Sequence, residues 1–120
     1  MTVLTYSIHR MRVSFYESAS GRSPVVAYID KLPSVRAEEV LAALVDIEEH
    51  GLPTPVQANA LVTMRHIKGK LWELKVKMDR VFYVVITGPE MILLHAYKKQ
   101  GQKAPPREIA LAEKRMKQVL

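Results

Sequence analysis

No fold is open to this chain that leaves residues 81–87 in water. The run reads VFYVVIT, almost wholly apolar and built from β-branched and aromatic residues. That pattern belongs to a central strand covered on both faces. The segments beside it are strand-like too. Residues 71–77 (LWELKVK) alternate, with Leu71, Glu73, Lys75 and Lys77 on one side and Trp72, Leu74 and Val76 on the other. Residues 91–97 (MILLHAY) form a further strand, and residues 61–67 read as another. The connections are turn signals: Lys68-Gly69-Lys70, Met78-Asp79 and Thr87-Gly88-Pro89-Glu90. Strands joined by such short links pair as antiparallel neighbours.

The first half supplies one more strand and two helices. Residues 3–16 begin with near-alternation and predict a strand that is irregular at its start, broken by the Ser-Gly stretch at 18–22. Ser23-Pro24 is a helix start, with Ser as N-cap and Pro at the first helical position. This helix is predicted over 24–31 and is ended by Leu32-Pro33. Ser34 is expected to cap a second helix, with Val40, Leu41, Leu44 and Ile47 on its inner face. Glu38, Glu39, Asp46 and Glu49 would lie outside. Gly51 and Pro53 stop it, and residues 53–59 form a connection. Pro105-Pro106 opens a terminal helix with Ile109, Ala112, Met116 and Leu120 on one side and Arg107, Lys114 and Lys117 on another. The order predicts one α+β domain over residues 1–120. An N-terminal strand and an α-helical hairpin pack with a mostly antiparallel twisted sheet, a C-terminal helix follows, and the helices share one face.

Composition narrows the class. At 48% hydrophobic and 25% charged residues the chain reads as globular. No stretch approaches the 18 or so apolar residues of a membrane span, and no secretory leader is visible. There is no cysteine, so disulfide and thiolate chemistry are excluded and a cytoplasmic location is expected. The formal charge of +6 is unevenly placed: residues 65–80 hold six Lys/Arg against two Asp/Glu, and residues 97–120 hold seven against two. Clustered basic charge suits a nucleic acid, an acidic protein partner or plain solvation.

If the strands pair in order, Lys75, Arg80, His95 and Tyr97 share a sheet face with Lys98, Lys99 and Lys103 beside it. Such a face suits RNA cleavage by internal transesterification. Cations stabilise the phosphorane, a tyrosine, histidine or lysine of lowered pKa moves protons, and aromatic rings hold unstacked bases. The chain has no metal-binding motif, and none is required. The residues also admit ordinary roles. Glu73 can pair with Lys75 or a cross-strand cation, Arg80 with a surface acid, and His95 can be a satisfied, half-buried histidine. Trp72 and Tyr83 are expected in the core, and His9, His50 and His66 are read as structural.

Several blocks, in order and over nearly the whole chain, resemble a known family. They are residues 15–25 (FYESASGRSPV), 67–75 (IKGKLWELK), 80–83 (RVFY), 93–99 (LLHAYKK), and 102–105 with 107–110 (QKAP, REIA). Together they resemble the RelE/ParE superfamily of type II toxins, in its phage-derived HigB-like branch. The resemblance implies a helical hairpin on a twisted sheet with a basic concave face. It implies a toxin neutralised by a cognate antitoxin, commonly a helix-turn-helix protein, so that DNA is met only indirectly. It implies cleavage of mRNA, in many relatives on the translating ribosome, without metal or other cofactor. By position, Arg80 would stabilise transition-state charge. Lys75 would contact phosphate, Glu73 would orient its neighbours, and His95 and Tyr97 compete for proton transfer. Tyr97, Lys98, Lys99 and Lys103 match the segment lining the substrate groove, and Lys77 and Arg107 are added as RNA contacts. Two departures stand out. The turn at 77–79 is shorter than the Gly-rich hairpin of relatives, so it does not itself set Arg80 opposite Lys75. Lys75 also occupies a position usually held by Arg, and lysine lacks the bidentate fork. The superfamily also holds inhibitors of DNA gyrase, and a weakly active remnant serving operon repression is a third reading.

Overall fold

The computed structural model describes residues 10–52 and 62–120. In chain order the elements are β1 (Arg12–Phe15), α1 (Pro24–Asp30), α2 (Ser34–His50), β2 (Val62–Lys68), β3 (Leu71–Val76), β4 (Asp79–Ile86), β5 (Glu90–Lys98) and α3 (Pro106–Val119). The α+β class expected from the sequence is the one observed. The strand readings at 3–9, the connection at 53–59 and His9 lie outside the described residues.

Five strands form one sheet in the order β1-β5-β4-β3-β2. β2 to β5 run antiparallel in sequence order, and β1 adds to β5 in parallel. β4 lies at the centre with Val81, Phe82, Tyr83 and Val84 buried, because alternate residues meet cores on opposite faces. One core joins Val81 and Tyr83 with Leu74, Val76, Met91 and Leu93 beneath α1 and α2. The other joins Phe82 and Val84 with Leu71, Ile92, Leu94 and Tyr97, and Ala112 of α3 packs into it. The helices therefore do not share a face as expected: α3 covers the side opposite the hairpin. The full burial of each such aliphatic or aromatic side chain stabilises the fold by about 1.5–3 kcal/mol.

Strand β5 carries an irregularity that alternation could not show. His95 pairs with Phe82 but Leu93 pairs with Tyr83, so Leu94 is an extra residue. Leu94 packs in the α3-side core, and His95 stacks over Phe82 on that same side. This is a β-bulge, two residues opposing one.

The helix ends follow their local chemistry with one correction. Ser23 caps α1, its Oγ accepting from the Val26 amide at 3.2 Å. Gly51 ends α2 at φ 82°, a left-handed geometry that glycine adopts without a Cβ penalty. Ser34 does not cap α2. It is the first helical residue, and Pro33 stands at the cap without a side-chain bond. Leu41 and Leu120 were expected on inner faces but are exposed, whereas Ala43 takes a core position on α2.

The β3–β4 turn is Lys77-Met78, one residue earlier than expected, with Asp79 already in β4 opposite Val76. Lys77 adopts φ 55° there. Asp79 is buried and accepts from Tyr28 of α1 at 2.6 Å and, through both oxygens, from Arg36 of α2 at 2.6 and 3.1 Å. One carboxylate thus pins the helical hairpin to the turn that leads into the central strand. Burial and the Asp79 bond push the Tyr28 phenol above its ordinary pKa.

Candidate active site

The register that the short turn left unsettled is explicit in the sheet. Lys75 faces Arg80 across β3–β4, and Arg80 faces Tyr97 across β4–β5. On β2, Arg65 lies opposite Glu73. These five side chains lie on the α3 side of the sheet, because Glu73 and Lys75 alternate with Leu74 and Val76 of the hairpin-side core.

Glu73 is at the centre, with 0% exposure. Arg65 Nη2 donates to its Oε1 at 2.8 Å, and the Tyr97 hydroxyl donates to its Oε2. Burial, first, and then the bond to Glu73 raise the Tyr97 phenol above its usual pKa of 10.0, so this hydroxyl keeps its proton. Lys75 is half-buried beside this group. Burial, then the neighbouring charges of Arg65, Arg80 and Lys99, lower its amine from the ordinary 10.5, and Glu73 opposes them only in part. Arg80 is itself buried. Its Nη1 donates to the carbonyls of Lys77 and Asp79, which fix the guanidinium at the turn.

The basic loop after β5 is drawn to the same place. The Lys99 amide donates to Met78 O at 2.7 Å, and Arg65 Nη1 donates to Gln102 O at 3.2 Å. Lys98, Lys99 and Lys103 are exposed, as is Arg107 in the first turn of α3. Arg65 was not among the residues singled out from sequence. The turn alone could not single it out: with Lys68 paired to Leu71, regular pairing from Gly69-Lys70 would set His66 opposite Glu73, and Arg65 takes that place through a register shift between His66 and Lys68.

Three expected residues lie elsewhere or are otherwise engaged. His95 stacks with Phe82 and Tyr97 at centroid distances of 6.3 Å. Arg115 Nη1 approaches its Nδ1 at 2.9 Å, and its Nε2 lies 2.8 Å from Glu108. A guanidinium only donates, so Nδ1 accepts and the ring proton on Nε2 goes to Glu108. Both nitrogens are committed to holding α3. Lys77 leaves the cluster and forms an ion pair with Glu39 of α2. Trp72 is not in the core as expected: it is 39% exposed, tilted against His66 at 5.0 Å on neighbouring β2. Tyr83 is buried as expected.

Residues 27–117 match the family described as phage derived protein Gp49-like. The chain belongs to this family. Gp49-like proteins are a RelE/ParE-like toxin family, and a toxin family implies an antitoxin partner. No curated protein matches the chain. The matched span of this Gp49-like protein contains Arg65, Glu73, Lys75, Arg80, Tyr97 and the basic loop, so the whole cluster lies within the family domain. Among its described residues, no helix is long and apolar enough to cross a membrane.

Proposed function

We propose that this Gp49-like protein is a HigB-like toxin that inhibits translation as a metal-independent endoribonuclease. It cleaves mRNA, on the ribosome, and is neutralised by a helix-turn-helix antitoxin. One observation carries the reading: the register Lys75–Arg80–Tyr97 gathers an amine of lowered pKa, a fixed guanidinium and a phenol around a buried carboxylate, within a toxin family.

The chemistry follows from those groups. Lys75, in its neutral form, takes the proton of the 2′-hydroxyl, which attacks the adjacent phosphorus. The Arg80 guanidinium meets the negative charge that develops on the phosphorane oxygens. The bond to the 5′-oxygen breaks, leaving a 2′,3′-cyclic phosphate, and the proton held by Lys75 goes to the departing oxygen. Glu73 acts as an orienting residue that holds Arg65 and Tyr97 in place. Tyr97 stays protonated and positions the strand. His95 serves α3 rather than the proton path, and Lys98, Lys99, Lys103 and Arg107 contact the RNA backbone.

The test is expression of wild type, Arg80→Ala and Lys75→Ala in cells, with primer extension on abundant transcripts and thermal melts of each protein. Wild type is expected to give discrete new 5′ ends. Arg80→Ala should lose cleavage by roughly 10²-fold or more, the usual effect of removing one charge-stabilising donor. Growth arrest without new 5′ ends would overturn the nuclease reading and direct attention to gyrase, and no arrest would favour the remnant.

A further inference from the structure

On the β1 side of α3, away from the Lys75–Arg80 pair, a cleft of about 410 Å³ opens between the β1–α1 loop, the start of α1 and the outer part of α3. Pro24, Ala27 and Leu111 give it apolar walls, and three cations, Arg22, Lys114 and Arg115, converge on it. No carboxylate lines it. Arg22 and Lys114 are exposed and form no ion pair among the described residues. Arg115 is held more firmly. Its Nη1 donates to Leu94 O at 3.1 Å and to His95, and its guanidinium lies 5.6 Å over the Tyr16 ring. Its Nη2 and Nε have no hydrogen-bond partner among the described residues. Gln118, which accepts from the Tyr16 hydroxyl, adds an amide to the wall.

Unpaired cations around a half-enclosed apolar slot ask for a ligand with an anionic end and a flat, weakly polar body. The volume is within the ordinary range of small-ligand sites. We infer that this cleft binds one nucleotide of the RNA strand, its phosphate between Arg22 and Lys114 and its base against Pro24, Ala27 and Leu111. The inference rests on the reading of the protein as RNA-directed and places a second contact on the substrate, separate from the cleaving groups. An acidic peptide would satisfy the cations, but its short carboxylate side chains would leave the apolar walls in water, so the nucleotide fits better. The cleft is joined to the candidate active site by contact: Arg115 touches His95, His95 stacks on Tyr97, and Tyr97 donates to Glu73.

The experiment is a ¹H–¹⁵N NMR titration of the full chain with AMP, then with an oligonucleotide whose 2′-deoxy positions block cleavage, and in parallel with an oligoglutamate peptide. Saturable shifts at the amides of Ala27, Leu111, Lys114 and Gln118 are expected. Arg22→Ala and Lys114→Ala, both at exposed positions, should each weaken AMP about five-fold or more, as loss of a charge-assisted phosphate contact does. Shifts confined to β3–β5, the absence of saturable shifts, or tighter binding of the peptide at the same amides would each overturn the assignment. The readout does not depend on cleavage, so AMP binding in the cleft without new 5′ ends in cells would sink the nuclease reading and keep the pocket.

Discussion

A carboxylate without solvent exposure is tolerable only when both oxygens are met, and Glu73 has Arg65 on one and Tyr97 on the other. Alternation alone put Glu73 on the same side as Lys75 but could not show that it would be covered, because its partners come from other strands, Arg65 from β2 and Tyr97 from β5. Tyr97→Phe should cost about 1.5–3 kcal/mol, the range for a hydrogen bond to a charged group, measured by urea denaturation. If the phenol only positions the strand, the variant keeps some cleavage activity while Arg80→Ala does not. Lys75 makes a separate prediction through pH. Its amine is held below 10.5 in the folded protein, so between that depressed value and 10.5 the unfolded chain binds more protons. Stability should therefore rise with pH across this window, and Lys75→Met should flatten the rise. With Lys75 as the base of the proposed cleavage, the rate should fall as pH drops through the same depressed value, and Lys75→Arg should remove that limb from the accessible range.

The elements were legible where local rules govern them: the apolar run of β4, the Ser23 cap and the glycine stop of α2. They were not legible where tertiary contact decides. Trp72 alternates with Leu71 and Glu73 as a core residue would, yet it stands exposed beside His66. The side of the sheet that α3 covers depends on how the chain leaves β5, which no periodicity encodes. The link between hairpin and sheet was equally hidden, since Tyr28, Arg36 and Asp79 are separated by up to 51 residues. Arg36→Ala strands the buried Asp79 charge and should cost about 3 kcal/mol or more. Tyr28→Phe should cost about 1.5–3 kcal/mol, as for the other hydroxyl that meets a buried carboxylate, and the double variant should depart from additivity in denaturant titrations because both partners serve one carboxylate.

At the scale of the whole molecule, charge is sorted: the exposed charges of α2 include Glu38, Asp46 and Glu49, set among exposed Val35, Leu41 and Val45, whereas the sheet face around Lys75 and Arg80 and the loop after β5 are basic. Helical spacing gave the acids of α2 and the resemblance implied a basic face, and the family match shows the class without fixing the reaction. Binding of a non-cleavable single strand should weaken steeply with salt, the logarithm of the binding constant falling with a slope of about −0.7 per phosphate contacted. Lys98→Ala and Lys99→Ala should each flatten the slope by about one contact's worth when Kd is measured against salt concentration. A sequence-independent loss without change of slope would show that these lysines do not touch the backbone. The bulge at Leu94 gives this sorting an unexpected dependence. Because of that one additional residue, β5 is written in two frames: one keeps Met91 and Leu93 under the hairpin, and the other turns His95 and Tyr97 toward α3 and the carboxylate. Losing a single codon there would force one half of the strand inside out. The spacing between the core and the chemistry is therefore inherited as a unit, and drift in this protein is free to change letters along β5 but not their number.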